Sequence, residues 1–63
     1  MKNREPRFEV LWYKDDGDYE SQDFYTRKQA LAFYEQHKND KDKHDFWVTH
    51  RNSDWEVIED III

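Results

Sequence analysis

The chain has 63 residues, a formal net charge of −5 and charged side chains at 40% of its positions. It contains no cysteine, which excludes disulfides and thiolate metal sites. An acidic surface repels phosphate, which disfavours direct nucleic-acid binding. A chain this short lies near the lower limit for autonomous folding, so one small domain over residues 1–63 is expected. Aliphatic residues are few. Three tryptophans, four tyrosines and four phenylalanines take their place, each able to remove roughly 150–250 Å² from water. Disordered chains are poor in aromatics and lack period-matched apolar faces, so a folded domain is the expectation despite the charge. No apolar run is long enough to span a bilayer, and the first residues lack the apolar region of a secretory signal. A cytoplasmic protein is therefore expected.

Residues 1–6 are polar, end in Pro6 and read as a flexible lead-in. Residues 7–13 form the first expected strand, with Phe8, Val10 and Trp12 alternating against Arg7, Glu9 and Leu11. Lys14 to Asp18 is a turn centred on Asp16 and Gly17, because Asp-Gly between strands accepts the positive φ of a tight hairpin. Residues 19–25 return as a second strand, with Tyr19, Ser21, Asp23 and Tyr25 on one face and Glu20, Gln22 and Phe24 on the other. Its weak apolar alternation and its charge suit a short edge strand.

Residues 26–39 hold the only clear helical period. Thr26 and Gln29 make a capping-box pattern, and Tyr25 is placed to staple onto Ala30. Ala30, Phe33, Tyr34 and His37 then fall on one helical stripe. Asn39 suits a left-handed stop, and His37 is placed to satisfy carbonyls at the helix end. Residues 40–45 are a mixed-charge loop. Residues 46–50 and 55–59 read as two further strands, joined by the polar turn Arg51, Asn52, Ser53, Asp54. Ile61, Ile62 and Ile63 either prolong the last strand or form a loose apolar tail. The expected fold is α+β: a single antiparallel sheet of about four strands in the order ββαββ, with one helix packed on one face.

This order, with Phe24 to Tyr34 opening the helix on Thr-x-x-x-Ala and Val48 to Ile58 enclosing a polar turn, resembles a loose group of short bacterial and phage-borne domains of unknown function. The resemblance spans residues 8–58 and implies the same strand-strand-helix-strand-strand fold. It implies no catalytic or binding residue. The second turn lacks the glycine usual in such hairpins.

Little in the chain suggests chemistry. His37, His44 and His50 match no standard metal-ligand spacing. Asp15, Asp16, Asp18 and Glu20 do not follow the calcium-loop register. Ser21 and Ser53 have no nucleophile elbow, and no glycine-rich loop exists to cradle phosphate. No catalytic residue, cofactor, metal or small-molecule substrate is expected, and the chain reads as a non-enzyme. The informative feature is the second face of the sheet. If Phe8, Val10, Trp12, Phe46, Val48, Trp55 and Val57 face the helix, alternation sends Leu11, Tyr13, Trp47 and Ile58 to the other side. These four are the candidate protein-interaction residues. The expected function is a small protein-interaction module that self-associates as a homodimer, or else binds another protein, through an aromatic sheet face or edge. The alternative is an acidic inhibitor that mimics a nucleic acid, drawn from the carboxylates at 15–23 and 54–60.

Overall fold

The computed structural model describes residues 6–62. Most of the expected lead-in, and the last isoleucine of the tail, lie outside the described residues. β1 (Phe8–Tyr13) runs into the expected turn, where the Lys14 amide donates to the Asp18 carbonyl at 2.7 Å and the Gly17 amide to the Lys14 carbonyl at 3.1 Å. Gly17 takes φ +90°, the left-handed conformation that the Asp-Gly pair offers. The turn leads into β2 (Tyr19–Phe24), with Tyr13 opposite Tyr19 and Phe8 opposite Phe24.

The helix α1 (Arg27–His37) begins as its sequence directs. Thr26 is the N-cap, its hydroxyl accepting from the Gln29 amide at 3.1 Å. Gln29 Oε1 in turn accepts from the Tyr25 amide at 3.1 Å, one residue outside the usual capping box. The helix end departs from expectation. The C-cap is Lys38, right-handed at φ −61°, and the Asp40 amide closes the last turn on the His37 carbonyl at 2.9 Å. The His37 ring does not serve those carbonyls; its Nδ1 bonds the Asp40 carboxylate at 2.7 Å, and its ring lies 4.4 Å from that of Phe33.

β3 (His44–Arg51) and β4 (Val57–Ile62) complete a four-stranded, wholly antiparallel sheet in the order β2-β1-β3-β4. The helix lies across β1, β2 and β3 on one face. It reaches β4 through Arg27, whose guanidinium bonds Glu59. Val10, Trp12, Ala30, Phe46 and Val48 are buried between the layers. Ala30 has no exposed surface, and its small side chain lets the helix approach the sheet closely. Around it the rings interlock: Trp12 lies 5.3 Å from Phe33 and 6.0 Å from Phe46, Phe24 lies 5.3 Å from Phe33, and Tyr34 meets Phe46 edge-on. Such pairs each add about 0.5–1.5 kcal/mol beyond area burial. Aromatic packing thus supplies what the scarce aliphatics do not. No helix among the described residues is long and apolar enough to cross a membrane.

The last strand starts later than the pattern suggests. Trp55 belongs to the turn, at φ +65°, and not to the helix-facing side of a strand. Asn52 holds that turn together: its Oδ1 accepts from the amides of Asp54 and Glu56, and its backbone amide donates to the Glu56 carbonyl. Ile61 and Ile62 prolong β4. Val57 pairs with Arg51, on the face away from the helix. Two register shifts interrupt the β3–β4 ladder, between Val48 and Thr49 and between His50 and Arg51. They leave Ile61 and Ile58 without registered partners. Strict alternation therefore fails along β4.

Left-handed backbone costs an L-residue roughly 1–2 kcal/mol relative to its preferred basin, and glycine escapes that cost. Both Trp55→Gly and Trp55→Ala lose the contact of the Trp55 ring with the Arg51 guanidinium 5.1 Å away, a contact worth about 0.5–1 kcal/mol. Only glycine relieves the backbone. The glycine variant is expected to be more stable than the alanine variant by about 1 kcal/mol in chemical denaturation; equal stability would show that the turn is unstrained.

Candidate functional site on the open sheet face

The side chains between the core positions project to the face that the helix leaves open. On β1 these are Glu9, Leu11 and Tyr13; on β2 Tyr19, Ser21 and Asp23; on β3 Trp47, Thr49 and Arg51. The register sorts them into rows. Tyr13 stands opposite Tyr19, their rings 6.0 Å apart, and Leu11 stands between Ser21 and Trp47. Tyr13 is 39% exposed and Trp47 47% exposed, while Leu11 is half-buried beneath them. Three of the four expected interaction residues, Leu11, Tyr13 and Trp47, are thus brought together. Ile58, 57% exposed, lies at a register shift of β4, roughly 12 Å along the sheet from Trp47 at about 3.3 Å per residue.

The neighbouring row is polar. Glu9 is opposite both Asp23 and Thr49, and Thr49 is opposite Asp60. Arg51, beyond the row, donates from Nε and Nη2 to Glu9 Oε1 at 3.3 and 3.1 Å, and from Nη1 to the Trp55 carbonyl at 2.8 Å. The Trp55 ring covers the guanidinium. A half-buried ion pair is thereby satisfied on several sides, which offsets the cost of desolvating it. Asp23 and Asp60 have no hydrogen-bonded or ion-paired partner among the described residues. The Thr49 hydroxyl, in the same row, is buried with no hydrogen-bond partner. Burial raises the pKa of Asp23, the nearby Glu9 carboxylate raises it further, and Arg51 opposes both.

Where this face meets the end of the helix, Tyr13 and Trp47 join Tyr34, Lys38, Asp45 and Ile62 around an open cleft of about 550 Å³. Asp45 sits there at φ +54°, and the Lys38 ammonium is engaged by Glu35 at 2.8 Å. The three histidines serve separate elements. His37 bonds Asp40, His44 bonds Asp15 in the first turn, and His50 stacks on Phe8 with centroids 4.1 Å apart. Among the described residues no group of three or more His, Asp or Glu side chains is placed to hold a metal ion. Ser21 lies on β2 and Ser53 in the second turn.

Sequence reasoning did not single out Asp23, Glu9, Thr49, Asp60 and Arg51 as one group. Half of it was accessible: counting back through the Gly17 turn pairs Tyr13 with Tyr19 and hence Glu9 with Asp23. The other half depends on β1 pairing with β3, a contact between distant parts of the chain. No family model matches this sequence, and no curated protein or solved structure resembles it closely enough to inform its function.

The raised pKa of Asp23 has a definite sign. A carboxyl whose folded pKa exceeds its unfolded one costs stability when ionised, and that cost disappears as the pH falls through the folded value. Asp23→Asn is therefore expected to raise the melting temperature at pH 7, by an increment that shrinks as the pH approaches 3 and the native carboxyl protonates. Thermal unfolding of both proteins across that range is the check. A variant less stable than the parent at pH 7, or a gain that grows on acidification, would contradict it.

Proposed function

We propose that this chain is a small, non-enzymatic protein-interaction module that works through the open face of its sheet. The observation that carries this reading is the exposure of Tyr13 and Trp47 beside Leu11, directly opposite the face that the helix covers. Contiguous apolar surface of this kind is uncommon on monomers without a binding role, and tryptophan and tyrosine are the types enriched at contact centres.

The face is favoured over the edges. The β2 edge carries Glu20 and Asp23, and the β4 ladder is broken twice and carries Glu59 and Asp60. Charge and bulges are the usual means of discouraging strand addition. A second copy of the chain or a different protein would each cover the face. The nucleic-acid-mimic alternative gains no support from the arrangement. Asp15, Asp16 and Asp18 lie in the first turn and Asp54 and Glu56 in the second, at opposite ends of the sheet, and of the two acidic runs Asp23 and Asp60 share a row.

A photoreactive phenylalanine analogue placed at Tyr13 or Trp47, in the chain expressed in its native cell, tests the reading. Crosslinked species of higher mass are expected from both sites and not from the same analogue at Lys28, on the outer side of the helix. Adduct yields at Tyr13 and Trp47 no greater than at Lys28 would refute it.

A further inference from the structure

We propose that the occupant of the open face is a basic segment of a different protein, which sets one cationic side chain against Asp23 and a second against Asp60, with a large apolar side chain between them resting on Leu11 and Trp47. This rests on the reading of the open face as a docking surface and adds the partner's chemistry.

The row Asp23, Glu9, Thr49, Asp60 crosses all four strands. At about 4.8 Å between strands, the two outer carboxylates are roughly 14 Å apart. Glu9 is already satisfied by Arg51, so the charges left for a partner are those at the two ends. The Thr49 hydroxyl lies between them, 5% exposed and without a hydrogen-bond partner. Buried polar groups are nearly always satisfied, and one that is not calls for a water, an ion or a partner's group beside it. Burial and the Glu9 carboxylate both push the Asp23 pKa upward, and an incoming cation would oppose that shift by its charge. One row away Leu11 and Trp47, and in the row beyond them Tyr13 and Tyr19, supply the apolar surface. The face as a whole is an aromatic row beside an acidic one.

The span sets a pattern on the partner. In an extended segment, residues two positions to either side of a central one share its face and lie about 13–14 Å apart. A cation, an apolar residue and a second cation at alternate positions would match Asp23, the Leu11–Trp47 pair and Asp60. A second copy of this chain fits poorly. Each copy has a net charge of −5, and Arg51 on its own open face is committed to Glu9 and the Trp55 carbonyl. Like potentials repel, and matched opposite potentials steer association and set specificity.

The test is selection of a random-peptide display library against the folded chain at low salt. The best peptide is then made synthetically and titrated into the parent, Asp23→Asn/Asp60→Asn and Trp47→Ala, each shown by circular dichroism to be folded. Enriched peptides are expected to carry Arg or Lys two positions to either side of an apolar residue. The double asparagine variant is expected to bind about tenfold or more weakly, and affinity for the parent to fall as salt screens the charges. Enrichment of neutral or acidic peptides, or a peptide weakened by Trp47→Ala but not by the double asparagine variant, overturns the basic-partner inference and leaves the docking face standing. No enriched peptide, or one indifferent to Trp47→Ala, removes both. A two-chain mass in sedimentation that reverts to one chain on Trp47→Ala overturns the inference in favour of a second copy.

Discussion

One eleven-residue helix has to serve a four-stranded sheet. At 1.5 Å per residue the helix is about 16 Å long and about 10 Å across, enough to cover one face and no more. The face it covers is settled by ring packing. Trp12, Phe33, Phe46, Phe24 and Tyr34 interlock around Ala30, whose missing bulk brings the layers into contact. Because strand side chains alternate, every core residue on β1 and β3 commits its neighbour to the opposite side. The exposure of Tyr13 and Trp47 is therefore a geometric consequence of burying Trp12, Phe46 and Val48.

What those positions hold instead is ordered. The aromatic side chains and the acidic row lie side by side, and Arg51, roofed by Trp55, flanks the acidic row on its other side and pairs with Glu9 in it. An ion pair with this many partners fixes side-chain positions more than it adds stability, since its gain must first offset desolvation. It also withdraws the central carboxylate from further use. Asp23 and Asp60 are left to give the face its net negative character. The Trp55 turn belongs to the same arrangement: a bulky residue in a conformation that favours glycine is retained where its ring and carbonyl both engage Arg51. Strain held in this way is often found beside functional surfaces.

The element order, the Thr26 cap and the Gly17 turn were legible because each is a local signal: a capping pair three residues apart, an Asp-Gly dipeptide, a helical stripe. Alternation alone was enough to group Leu11, Tyr13 and Trp47 on one face, though not to say which face the helix takes, and it does not announce the register shift between β1 and β3 at Leu11 and Tyr13. The same rule fails on β4. Its register shifts leave Ile58 apart from the other three and turn Val57 away from the helix, and nothing in the apolar pattern announces a shift. Trp55 was hidden for a different reason: tryptophan is a strand former by propensity, and only tertiary contacts hold it at positive φ. The helix stop likewise went to a side-chain hydrogen bond, His37 to Asp40, instead of a left-handed Asn39. The polar row required strand order as well as strand identity, and strand order is a long-range property of the chain.

One face of the sheet is wet and the other dry in the isolated chain. Solvent paramagnetic relaxation in dilute solution measures this directly, using a neutral soluble relaxation agent and side-chain resonances. Trp47 and Tyr13 should be strongly broadened, while Trp12, Val48 and Phe46 keep their linewidths. Protection of Trp47 equal to that of Trp12 in a chain that sediments as one subunit would contradict the account.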